Sequence, residues 1–154
     1  MANDDSKIAR KLAEELIEKI GVKADIEVKE FDENLKVQVS GENLGALIGY
    51  HGQTLESLQL ILGLMVNNKK EESEWTRVIV DIGSYREERE NTLKEMVNRA
   101  VEDLEVNGKK EVVLAPMNPS ERRAAHIIVS ENYPEIQTVS EGEEPYRRIK
   151  LLKK

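Results

Sequence analysis

The sequence predicts an α+β fold built from two small modules in series, residues 1–83 and 84–154. Apolar residues recur at helical spacing in five segments and alternate with polar ones in six others. The order αββααβ is complete by residue 83, and a long helix then opens a second set, α, β, α and a β-hairpin. A chain of 154 residues divided in this way gives each module a modest core.

Ile8, Leu12, Ala13, Leu16, Ile17 and Ile20 form one helical stripe, and Gly21 stops it. Ile26 and Val28, then Leu35, Val37 and Val39, alternate with polar neighbours across a turn at Asp32, Glu33 and Asn34, which predicts a hairpin. Leu44, Leu47 and Ile48 predict a short helix ending at Gly49. A further helix starts near Gln53 with Leu55, Leu58, Leu62 and Met65 on its apolar face. After the polar run Asn67 to Glu74, the segment Trp75 to Ile82 reads as a strand.

The second module opens near Tyr85 with a helix carrying Leu93, Met96, Val97, Ala100, Val101 and Leu104, ended by Asn107 and Gly108. Glu111 to Leu114 is a short strand. Asn118, Pro119 and Glu121 then have the spacing of a capping box, predicting a helix that runs to about Tyr133. Ile136 to Ser140 and Tyr146 to Leu152, joined across Gly142 and Pro145, close the chain as a hairpin.

Composition narrows the function. Cysteine is absent and there are only two histidines, which excludes disulfides, thiolate metal sites and a thiol nucleophile. Neither paired catalytic groups nor a Walker-type phosphate loop is present, so no enzyme, metal or cofactor is predicted. No run approaches the roughly 18 apolar residues that cross a bilayer, and no secretory signal pattern opens the chain, which predicts a cytoplasmic protein without a transmembrane segment. The net charge of −7 opposes general attraction to polyanions. That deficit lies mainly in the first module: residues 1–83 hold 10 basic and 16 acidic side chains, against 13 and 14 in residues 84–154.

Two clusters carry the binding chemistry. In the first, Gly49, Tyr50, His51 and Gly52 join two helices, with Gln53 opening the second. The first glycine relieves steric limits, and the second lets the backbone approach something closely, for which a phosphate is a candidate. Amides at the start of the following helix then face a sugar-phosphate chain without needing a basic side chain. Tyr50 is either a base-stacking residue or an ordinary exposed loop tyrosine. The second cluster is Arg122 and His126, four apart on one helix face, with Arg123 adjacent. The expected arrangement puts Arg122, His126 and Ser130 toward a ligand, with Ala124, Ala125, Ile127 and Ile128 facing inward. Lys109, Lys110, Arg147, Arg148 and Lys150 offer further positive charge.

The order αββααβ with Gly-x-x-Gly between its last two helices resembles a type II KH domain, which implies single-stranded RNA held over that loop. The phrase MNPSERRAAHIIVSE resembles the R-three-H domain, named for its Arg-x-x-x-His element, here Arg122 and His126. KH loops commonly carry a basic residue between the glycines, where this chain has Tyr50 and His51. Together the phrases LIGYHGQTLESLQLILGLMVN and APMNPSERRAAHIIVSE resemble the bacterial Jag family, also called SpoIIIJ-associated or KhpB proteins, across nearly the whole chain. Many members carry an additional N-terminal Jag domain, which this sequence is expected to lack. The resemblance implies RNA regulation linked to envelope or division processes, sometimes with a small KH-only partner. Single-stranded DNA is the other strand such a surface would take. The alternative is an acidic protein–protein adaptor on the same folds with little nucleic-acid affinity.

Overall fold

A computed structural model describes residues 4–70 and 74–154. The chain divides into two compact units, Met1–Arg86 and Glu87–Lys154.

In the first unit, helix α1 (Asp4–Ile20) starts with two aspartates, favourable at the positive end of the helix dipole, and buries Ala9, Leu12, Ala13 and Ile17. Strands β1 (Asp25–Phe31) and β2 (Asn34–Ser40) pair antiparallel with Val28 opposite Val37. Asp32 and Glu33 both take positive φ, the backbone of a two-residue hairpin whose twist matches that of its strands. Helices α2 (Gly45–Ile48) and α3 (Gln53–Lys69) form the crossover to β3 (Val78–Ile82), which lies parallel to β2 in the order β1-β2-β3. Leu35, Val37, Val39, Val78, Val80 and Ile82 form the sheet side of a core closed by α1 and Leu47, Leu55, Leu58, Leu62 and Val66.

The strand expected from Trp75 starts only at Val78. Asn67 explains the difference: its side chain donates to the Thr76 carbonyl and accepts from the Thr76 amide, both at 2.8 Å. These bonds replace ladder pairing, and Trp75 stays 67% exposed. Of the polar run, Asn67 to Lys69 complete α3 and residues 71–73 lie outside the described residues. On the side of β3 away from β2, the Val80 amide donates to Gln59 Oε1 at 3.0 Å and the Val80 carbonyl accepts from Arg86 Nε at 3.2 Å. Arg86 therefore belongs to the first unit, three residues beyond the expected boundary at 83.

Helix α4 (Tyr85–Glu105), which enters the second unit at Glu87, presents Leu93, Val97, Ala100, Val101 and Leu104 to a core shared with Met117, Ala125, Val129, Ile136, Ile149 and Leu151. Strands β4 (Glu111–Val113), β5 (Ile136–Glu141) and β6 (Arg148–Lys153) form an antiparallel sheet in the order β4-β6-β5. Helix α5 (Pro119–Asn132) has the expected capping box: Glu121 N–H donates to Asn118 Oδ1 at 2.8 Å, and the Asn118 amide donates to Glu121 Oε2 at 3.1 Å. Tyr146 and Arg147, expected in the last strand, belong instead to the turn before β6. There the Tyr146 amide closes on the Glu143 carbonyl at 2.8 Å rather than joining the ladder.

Candidate nucleic-acid interface

Gly49 follows α2 with φ 71° and ψ −171°, a conformation essentially restricted to glycine. Tyr50–Gly52 make one tight turn, His51 has φ 50°, and Gly52 (φ 80°, ψ 11°) is the N-cap of α3. Because glycine has no side chain, the first amides of α3 receive no side-chain cap. Tyr50 is 59% exposed and stacks on the His51 ring, with centroids 4.0 Å apart and planes inclined by 12°. Gln53 is exposed beside them.

The space beside the two glycines is filled by the chain itself. A Cβ on Gly49 would stand 2.1 Å from Thr54 Oγ1, and one on Gly52 would stand 3.0 Å from the Tyr85 ring. The chain's own packing thus demands both residues. Gly52 is buried, so a substitution there disturbs the fold as well as any ligand. Leu47 and Leu55, both fully buried, anchor the turn from below.

Arg122 and His126 share a helix face, but Arg122 does not face solvent. Its side chain is 11% exposed; Nη1 donates to the Met117 carbonyl at 2.7 Å and Nη2 to Glu144 Oε1 at 2.5 Å. The reason is helical spacing. Arg122, Ala125 and Val129 lie at i, i+3 and i+7, the stripe that faces the core. Ile127, expected inside, lies outside that stripe and is exposed. Arg123 is exposed, and Ser130 turns back to donate to the Ile127 carbonyl at 3.0 Å.

His126 is half-buried, with Nδ1 2.6 Å from Thr138 Oγ1. Burial, and then the neighbouring Arg122 charge, hold its pKa below the ordinary imidazole value of 6.5. As pH falls, the unfolded chain binds this proton first. The stability contributed by the neutral ring is therefore complete above 6.5 and is lost as pH falls through the lower folded value. A ring-proton NMR titration should give a midpoint below 6.5, moving upward in Arg122→Met. A midpoint at or above 6.5 in the parent would refute this account.

Most other cations near this helix are engaged. Lys109 pairs with Asp103 at 2.5 Å, Lys150 with Glu141 at 2.8 Å, and Arg148 with Glu141 at 3.6 Å. The Lys150 hydrogen bond is the main reason the Glu141 pKa is lowered. Arg147 donates to Ser140 Oγ and to the Gly142 carbonyl. Lys110 and Arg123, by contrast, are exposed and make no ion pair among the described residues. Sequence reasoning missed Thr54, Tyr85, Thr138 and Glu144, whose parts depend on register and on turns that close only in three dimensions. Among the described residues no cluster of metal-ligating side chains occurs, and no helix is long and apolar enough to cross a membrane.

Comparison with known proteins follows the two units. Residues 6–82 match the family model of the KhpA/KhpB KH domain, and residues 91–153 match the R-three-H domain. The chain is similar to the RNA-binding protein KhpB of Clostridium symbiosum, with 38% identity over 130 residues, 84% of this chain and 57% of that protein. It is 31% identical to RNA-binding protein KhpB of Bacillus subtilis over 141 residues, 90% of this chain and 66% of the relative. For RNA-binding protein KhpB of Lactiplantibacillus plantarum the identity is 30% over 134 residues, 87% and 40% of the respective lengths. The chain spans 40% to 66% of the length of these relatives.

Proposed function

Since the chain belongs to the KhpB family, with a KH domain of the KhpA/KhpB type followed by an R-three-H domain, we propose that it binds single-stranded RNA through both. The observation that carries this reading is the turn at Gly49–Gly52, which presents an exposed Tyr50 beside the start of α3, where no side chain caps the helix although the Gln53 amide is taken by the Tyr50 carbonyl. Backbone amides and the helix dipole attract phosphate, and Tyr50 offers a ring to a base. His51 and Gln53 flank that path. In the second domain Arg123 is an exposed cation and His126 its polar neighbour on α5, while Arg122 supports them from beneath.

The turn explains how a chain of net charge −7 holds a polyanion. Few cations are used, so the salt dependence is shallow: each phosphate neutralised by a cation contributes about −0.7 to the log-log slope, and two such contacts give about −1.4. Filter binding of a single-stranded RNA over a salt series measures it, with single-stranded DNA run alongside. His51→Asp is the appropriate loop variant, because aspartate tolerates the left-handed backbone that position 51 adopts. We expect RNA affinity to fall about tenfold as the carboxylate repels phosphate, with the thermal midpoint nearly unchanged. Undiminished binding would remove the loop from the interface.

A second reading has its own support. Leu60, Ile61 and Leu64 form an exposed apolar row on α3, which suits a protein partner such as a small KH-only protein. A protein–protein adaptor would give a flat salt response toward RNA, so the same titration separates the two.

A further inference from the structure

The turn between β5 and β6 is acidic, with Glu143 and Glu144 following Glu141 at the end of β5, yet it displays the more exposed aromatic ring of the second unit, Tyr146, at 73% exposure. The other aromatic there, Tyr133, packs against the core and donates its hydroxyl to Asn98 Oδ1 at 2.9 Å.

The turn holding Tyr146 is fastened on both sides. Glu144 accepts from Arg122, and the Arg147 carbonyl accepts from the Met117 amide at 3.2 Å. Met117 in turn gives its own carbonyl to Arg122, so one guanidinium anchors the chain two residues before Tyr146 and, through Met117, one residue after it. The Tyr146 amide is fixed to the Glu143 carbonyl, and Arg147 braces the turn by donating to Gly142 and Ser140. A ring held out on a backbone already ordered loses little freedom on binding.

We propose that Tyr146 is a base-stacking residue of the R-three-H domain and that Arg122 is the positioning residue that holds it there. The ligand is a nucleobase of a single strand. The cations around this turn are already engaged, Arg122, Arg148 and Lys150 by the carboxylates of Glu144 and Glu141 and Arg147 by Ser140 and Gly142, which makes it a poor phosphate dock, whereas stacking on an uncharged ring needs no cation. Phosphates are left to Arg123, next to the anchoring arginine on α5. This assignment rests on the RNA-binding reading above.

The test uses the full chain and a short fluorescein-labelled single-stranded RNA of mixed sequence, followed by anisotropy. Tyr146→Ala should weaken binding by roughly 5- to 100-fold, the range for losing one aromatic–base stack. Tyr146→Phe should stay within about twofold, since the ring is retained. Neither should alter the salt slope or the thermal midpoint. A second arm uses an abasic strand of the same length, on which parent and Tyr146→Ala should bind alike. Equal affinity of parent and Tyr146→Ala for the base-bearing RNA would overturn the assignment. An equal loss on the abasic strand would also overturn it, since the ring would then act through the turn and not on a base. If the parent binds no RNA, the reading of the whole chain falls, and this assignment with it.

Discussion

Gly49→Ala lowers the stability of the first unit by about 4 kcal/mol, combining about 1–3 kcal/mol of backbone strain with a similar overpacking cost. The new methyl would meet Thr54 Oγ1 at 2.1 Å and the Thr54 amide nitrogen at 3.0 Å, so moving the hydroxyl alone does not make room. The φ of 71° with ψ of −171° adds strain even where space exists. Adding Thr54→Ala to Gly49→Ala should recover less than half of the loss, because the hydroxyl clash is relieved while the position-54 Cβ, 2.8 Å from the new methyl, and the dihedral penalty both stay. Urea titration followed by circular dichroism measures both variants. A Gly49→Ala protein as stable as its parent would mean that the turn has another conformation.

Arg122→Ala is expected to cost the second unit about 3 kcal/mol. It removes a mostly buried guanidinium, strands the Met117 carbonyl and frees Glu144. Glu144 is 53% exposed and regains water, which keeps the cost at the lower end for breaking such a pair. RNA affinity should fall as well, because the β5–β6 turn loosens. The salt series tells how. A brace releases no counterions, so the slope stays at the parent value, whereas a lost phosphate contact on a single strand would reduce it by about 0.7. Arg122→Lys should recover little, since one ammonium cannot reproduce the planar fork that spans Met117 and Glu144.

The elements were legible because their signals are local. The Asn118–Glu121 cap, the Asp32–Glu33 turn and the stripes on α1 and α4 each lie within a few residues, and each element is where these predict it. The strand ends at Trp75 and Tyr146 were misread because tertiary bonds, from Asn67 and within the Glu143 turn, take the backbone groups that pairing would have used. The site was legible in its residues but not in their roles. Arginine at a core-facing position reads as a surface charge unless its register with Ala125 and Val129 is counted, and that register was available in the sequence. Glu144 as its partner was not, because 22 residues and a full hairpin separate the two.

Gln59 and Arg86 have a consequence beyond the domain they close. By occupying the amide and carbonyl of Val80, they leave a newcomer's strand no partner at the middle rung of that border. At that margin the central rung of the three-stranded layer cannot template a further strand.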